Sequence, residues 1–203
     1  MQLRSPSSHP FVLGSASPRR RDLIAQMGLV ADEISAPDID ETHHRYEKPA
    51  DYAARMASEK ANALIVKHPN SYILSADTVV AVGRRILPKT ETQSEASVCL
   101  DLLMGRAHTV YGGLCLITPD GQHHHRLSVA KVAFRRLSED EKTDYLRFGD
   151  WQGKAGGYAI QGMAASFIHH LQGSYSNVVG LDIYLLSNLL RHLGFRPDDG
   201  PLC

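Results

Sequence analysis

Apolar and polar positions switch repeatedly between a strand-like and a helix-like period, and the switches outline the elements. Residues 11–14, FVLG, form a short continuous apolar run of the kind a central strand makes. Pro18 suits the first turn of a helix, with Ser17 as its cap and Leu23, Ile24, Met27 and Leu29 as its apolar face. From Pro49 to about His68, Tyr52, Ala53, Met56, Ala57, Lys60, Ala63 and Leu64 recur at three and four, an amphipathic helix ended by HPN. SYILSADTVVAV is β-rich with a small, acidic centre, and Gly83-Arg84-Arg85 turns it into a second short strand at Ile86 and Leu87.

A helix from about Ser94 to Met104 is stopped by Gly105. Two long strands, 107–117 and 126–136, are joined through TPDGQHHH, with Asp120-Gly121 as the turn signal and His123, His124 and His125 at the tip, where a solvated loop is favoured over incidental nickel or zinc binding. Ser138 and Glu141 make a capping box for a helix to about Phe148. The Gly-rich stretch 149–162 reads as irregular, 165–173 as a strand, and SNVVGLDIYLLSNLLRHLG as one final helix ended by Gly194. A long hairpin mixed with helices argues for α/β with a mixed rather than a purely parallel sheet. With 203 residues, a single domain spanning 1–203 is expected to bury its own core.

Charge narrows the partners. Lys plus Arg equals Asp plus Glu at 22 each, so the chain has no overall basic footprint of a nucleic-acid binder, and any anion site must be local. Cys99, Cys115 and Cys203 share no metal-ligand spacing along the chain and leave an odd thiol; they fit a reducing cytosol, as small core residues or, for Cys203, a tail residue. No apolar run approaches the roughly 18 residues of a membrane span, and the N-terminus lacks an apolar leader core. The expectation is a soluble cytoplasmic protein without membrane or nucleic-acid partners.

Chemistry concentrates in a few stretches. GSASPRRR places Ser15, Ser17, Arg19 and Arg20 at a strand-to-helix turn, where free N–H groups and forked guanidinium donors suit an anion. A solvated basic helix start is the competing reading, and the stretch lacks the glycine-lysine pattern of a P-loop. Asp77, set in SADTVV within a strand, is awkward to bury unless paired or metal-bound, and is the strongest single candidate. Asp38, Asp40 and Glu41 of APDIDE read alone as a solvated loop. Asp77 with Glu41 could ligate magnesium or manganese, and Lys60, Lys89 and Lys154 could meet phosphate. GKAGGYAIQG lets backbone approach a ligand closely and offers Gln161, an amide able to read a base edge, although a plain turn explains the glycines equally well.

Taken together, GSASPRRRDLI, DIDE, RMASEKA, SADTVV, GRAHTVYGGL, GKAGGYAIQG and GSYSNVVGL resemble, in order and spacing, the Maf family of nucleoside triphosphate pyrophosphatases, over roughly 12–190. The resemblance implies a mixed, elongated sheet with flanking helices and two lobes around a cleft, similar to inosine triphosphate pyrophosphatases. It also implies hydrolysis of the α–β phosphoanhydride of a nucleoside triphosphate with Mg2+ or Mn2+, and a homodimer. On the family motif Asp77 falls as proton acceptor and metal ligand, Glu41 as metal ligand, and Arg19, Thr78 and Gln161 as specificity positions. Ser15, Ser17, Arg20, Lys60, Lys89 and Lys154 fall as phosphate or metal contacts. Arg19, Lys89 and Gln161 resemble the branch acting on dTTP and UTP; the branch acting on 7-methyl-GTP has Trp and Glu at the arginine and glutamine positions. Pro88-Lys89-Thr90 departs from the family's usual Gly-Lys-Pro, so this turn has its own backbone angles. Two rival readings are a nucleotidyltransferase and a non-catalytic nucleotide-binding regulator of cell division.

Overall fold

The computed structural model describes residues 3–197; Cys203 lies outside the described residues. In chain order the elements are β1 (Leu3–Arg4), β2 (Phe11–Gly14), α1 (Pro18–Gln26), β3 (Glu33–Ile34), α2 (Pro49–Asn62), β4 (Tyr72–Val82), β5 (Arg85–Leu87), β6 (Lys89–Thr90), α3 (Gln93–Leu103), β7 (Ala107–Ile117), β8 (His123–Phe134), α4 (Glu139–Phe148), β9 (Lys154–Ala155), a 3-10 turn (Met163–Phe167), β10 (Ile168–Gln172), α5 (Tyr175–Val179), α6 (Ile183–His192) and β11 (Arg196–Pro197).

The main sheet runs β10-β8-β7-β4-β2-β3, with β5 also on β4. β2 is parallel to β3 and β4, and the other pairings are antiparallel, so the sheet is mixed as expected. Two-residue ribbons, β1 with β11 and β6 with β9, complete the pairing.

β4 is the spine of the molecule. One of its edges is paired with β7 from Ile73 to Ala81. Its other edge pairs with β2 only through Ser75 and with β5 only from Val80. Ala76 to Val79 therefore have no strand beside them on that edge, and Asp77 and Thr78 lie in the gap. The apolar core divides at the same point. Phe11, Leu13, Tyr72, Leu74, Ala76, Leu114 and Leu116 pack with α1 and α6 at one end, and Val80, Val110, Phe134, Tyr145 and Tyr158 pack with α3 and α4 at the other.

Two glycines on β7 let helices close on both faces of this junction. A Cβ on Gly113, opposite Asp77, would lie 2.1 Å from the Ala53 carbonyl oxygen of α2. A Cβ on Gly112, opposite Thr78, would meet the Asn177 side chain of α5, whose amide donates to Val110 O at 3.2 Å.

Several expectations need correction. The second helix ends at Asn62 rather than His68, because Leu64 and Ile65 donate three residues back, to Ala61 O and Asn62 O, in tight turns. The final helix is broken: Gly180, at φ 151°, ends α5, and Asp182 caps α6 by accepting from the Tyr184 and Leu185 amides. His123, His124 and His125 are not at the hairpin tip but open β8, paired with Ile117, Leu116 and Cys115; the tip lies at 118–122. The strand expected at 165–173 begins only at Ile168, after the 3-10 turn, and the irregular glycine stretch supplies β9. Cys99 and Cys115 are buried free thiols, as expected.

Candidate active site

A cleft of about 500 Å³ opens at the gap beside β4, at the carboxyl end of β2, where the chain turns away into α1. In open sheets with parallel strands this is where ligands bind. The structure places all eleven expected site residues, Ser15, Ser17, Arg19, Arg20, Glu41, Lys60, Asp77, Thr78, Lys89, Lys154 and Gln161, in the lining of this one cleft.

Its centre is a chain of alternating charges. Asp77 is only 5% exposed and Lys60, in the last turn of α2, only 6%. Lys60 Nζ lies 2.6 Å from Asp77 Oδ1 and 3.0 Å from Glu41 Oε1, while Glu41 Oε2 meets Lys89 Nζ at 2.8 Å. Partial burial works to raise the Glu41 carboxyl, but its hydrogen bonds and charge pairing with Lys89 and Lys60 outweigh it and hold the group below its ordinary value. Lys89 reaches the cleft despite the altered turn. Thr90 is buried and donates to Trp151 O at 2.7 Å, and β6 pairs with β9, so Lys89 and Lys154 flank the same ribbon.

Glu41 is an acid on a loop, yet its position is fixed. Tyr52 of α2 donates its hydroxyl to Glu41 O at 2.5 Å, and burial beside Asp77 and Glu41 pushes the phenol up to about 12. One turn along α2, Arg55 clamps the same loop through Glu47, at 2.7 and 2.8 Å, and through Thr42 O at 3.1 Å. Sequence reasoning missed both anchors, although their i, i+3 spacing places them on one helix face. Asp38 and Asp40 of the same loop are exposed and stay outside the cleft.

Across the cleft, the α1 start carries the second group. Ser17 occupies the N-cap position but makes no side-chain capping bond, contrary to expectation; Ser15 Oγ instead accepts from the Ser17 amide at 3.2 Å. Arg20 is committed to the protein, donating to Gly180 O at 2.8 Å, Ser15 Oγ at 3.0 Å and Thr78 Oγ1 at 3.3 Å. Gly180 is a second missed participant: the helix break frees its carbonyl, and the signal was a glycine two residues before an Asp N-cap. Arg19 makes no side-chain hydrogen bond among the described residues; its burial lowers the guanidinium from its ordinary value, with the nearby Asp150 carboxylate opposing. Burial and the Arg19 charge likewise lower Lys154. The exposed amide of Gln161 is also without a partner among the described residues.

Among the described residues, five cations thus face two carboxylates in this cleft, in a chain with no net charge. A helix amino terminus, forked and ammonium donors and a buried carboxylate, assembled at a sheet gap, define an α/β protein built to hold a polyanion against a group that can accept a proton. The chain belongs to the family of Maf-like proteins, which matches residues 10–193. It is 54% identical to the dTTP/UTP pyrophosphatase of Caulobacter vibrioides over 187 residues, covering 92% of this chain and 97% of that protein. It is 52% identical to the dTTP/UTP pyrophosphatase of Rhodospirillum rubrum over 191 residues, covering 94% and 91%. Among solved structures, the Ham1 protein of Staphylococcus aureus superposes with a TM-score of 0.50 at 13% identity, covering 90% of this chain and 98% of that one, a likeness of fold alone.

Proposed function

We propose that this protein hydrolyses nucleoside triphosphates between the α and β phosphates, releasing the monophosphate and pyrophosphate, with dTTP and UTP as preferred substrates. The observation that carries the reading is the Asp77–Lys60–Glu41–Lys89 chain, buried at its Asp77–Lys60 end, which shares its cleft with an uncapped helix start and with Arg19, unpartnered among the described residues. The names of the two bacterial relatives support both the reaction and the pyrimidine preference.

The triphosphate lies against the turn at Ser15 to Arg19, where amide and hydroxyl donors meet its oxygens, and Arg19, Lys89 and Lys154 neutralise its charge. Arg20 contributes a fixed positive charge and holds the Ser15, Thr78 and Gly180 walls in register. Asp77 Oδ1 is taken by Lys60, leaving Oδ2 to orient and deprotonate the attacking water. Gln161 presents an amide that pairs with the carbonyl and N–H edge of a pyrimidine. Asp77 and Glu41 offer hard oxygen donors around one shared cation, here the Lys60 ammonium, and so fit magnesium or manganese. When bound, such an ion polarises phosphate oxygens and offsets their developing charge. The reading includes a cytoplasmic location; among the described residues no helix is long and apolar enough to cross a membrane.

The test is pyrophosphate release with magnesium or manganese across dTTP, UTP, CTP, 5-methyl-UTP, 7-methyl-GTP and ITP, with folded Asp77→Asn as control. Preference for dTTP and UTP, abolished in the variant, is the expected result. Near-normal turnover by Asp77→Asn removes the assigned base, and preference for a purine nucleotide removes the role given to Gln161.

A further inference from the structure

Away from the cleft, the paired ends of β7 and β8 gather a different kind of donor. Cys115 lies directly across the ladder from His125, and Ile117 across from His123. Side chains two apart on a strand share a face, so Cys115, His123 and His125 project from the same side of the sheet. The Cys115 Sγ and one ring nitrogen from each histidine lie within 4.8 Å of one another. The two rings stand 6.0 Å apart, tilted by 40°. Cys115 is buried in the apolar cluster with Ala57, Ala61 and Leu64, while both histidines are exposed, so the group spans the boundary between core and solvent. None of the three side chains has a hydrogen-bonding partner among the described residues.

We propose that Cys115, His123 and His125 form a binding site for a borderline-soft divalent metal, zinc above others, separate from the catalytic cleft. One thiolate and two imidazoles are zinc ligands, whereas magnesium and manganese need the oxygen donors this group lacks. Tetrahedral zinc, with bonds of about 2.0 Å to nitrogen and 2.3 Å to sulfur, spaces its ligand atoms by roughly 3.3–3.5 Å. Contraction from the observed spacing is within reach of side-chain torsions at the two exposed histidines. Three protein ligands leave a fourth position for water. Binding exchanges the thiol proton for the metal and ties β8 to β7 just below the hairpin turn, two residues from Gly113, the partner of Asp77.

Cobalt(II) added to the full-length, tag-free protein provides the spectroscopic probe, and zinc competition against a chromophoric chelator gives stoichiometry and affinity. The expected results are one zinc per chain and a cobalt spectrum with a thiolate charge-transfer band, lost in Cys115→Ser. Because Cys115 is a core residue, the exposed double variant His123→Gln/His125→Gln supplies the second arm; loss of two of three ligands weakens zinc by more than the roughly 10–100-fold that loss of one supporting hydrogen-bond partner costs. Asp77→Asn, which alters only the cleft, keeps both the stoichiometry and the thiolate band. Absence of stoichiometric zinc, a cobalt spectrum without the thiolate band, or undiminished affinity in the double histidine variant overturns the proposal.

Discussion

Replacing Lys60 by Met tests whether the charge chain is held as a unit from its buried end. The side chains of Lys60 and Asp77 are 8% and 6% exposed, so water supplies almost no screening, and removing the ammonium strands a buried carboxylate. Breaking such a pair costs about 3–5 kcal/mol, which for a domain of this size lowers Tm by roughly 10 °C. The two partners are not equivalent. In Asp77→Asn the lysine keeps Glu41 at 3.0 Å, and Glu41 keeps Lys89 in either variant, so Asp77→Asn costs less than Lys60→Met. Adding Asp77→Asn to Lys60→Met removes the stranded charge and recovers stability. Urea unfolding followed by circular dichroism at pH 7, on the wild type, both single variants and the double, reads all four corners. A Lys60→Met cost below about 1 kcal/mol, or a double-variant loss equal to the sum of the singles, refutes the coupling.

Gly113→Ala places a methyl 2.1 Å from the Ala53 carbonyl oxygen, a backbone atom that cannot swing away, so α2 must shift and carry Lys60 with it. We expect a loss of at least 1–3 kcal/mol in urea unfolding together with a fall in pyrophosphate release; unchanged stability counts against the tight helix–sheet approach. Arg55 hydrogen bonds hold the Glu47 carboxyl down at about 2 against its burial, so the folded value lies below the unfolded one. That stability is fully present above the ordinary glutamate range, near 4.5, and is lost as pH falls toward 2. The wild-type advantage over Glu47→Gln should accordingly shrink between pH 5 and pH 2 in unfolding titrations, and a constant difference contradicts the clamp.

Much of this organisation was legible because local rules act alone at certain positions. The capping box at Ser138 and Glu141 forms as read, and β7 has the bounds its apolar pattern indicated. The box at Thr92 and Glu95 was missed, and it starts α3 at Gln93, one residue ahead of the expected Ser94. The break at Gly180 was hidden because Val178, Val179, Leu181 and Leu186 keep a helical spacing across it. In the cleft, residue types pointed to anion chemistry, but the pairings depend on tertiary geometry. Lys60 was marked as a phosphate contact, but its pairing with Asp77 exists only once α2 packs on Gly113, and the ladder partnership of Cys115 with His125 depends on the turn geometry that sets the hairpin register.

The charge of the cleft also bears on how a nucleotide arrives. Among the described residues, five basic and two acidic side chains line it, a local excess of cations in a chain with 22 of each sign. A polyanion is drawn to this local excess of cations, and low-dielectric walls concentrate the attractive field at one opening. The neutral molecule acts as an electrostatic funnel with its own guard rails: capture is fast at low ionic strength and slows steeply as salt is added.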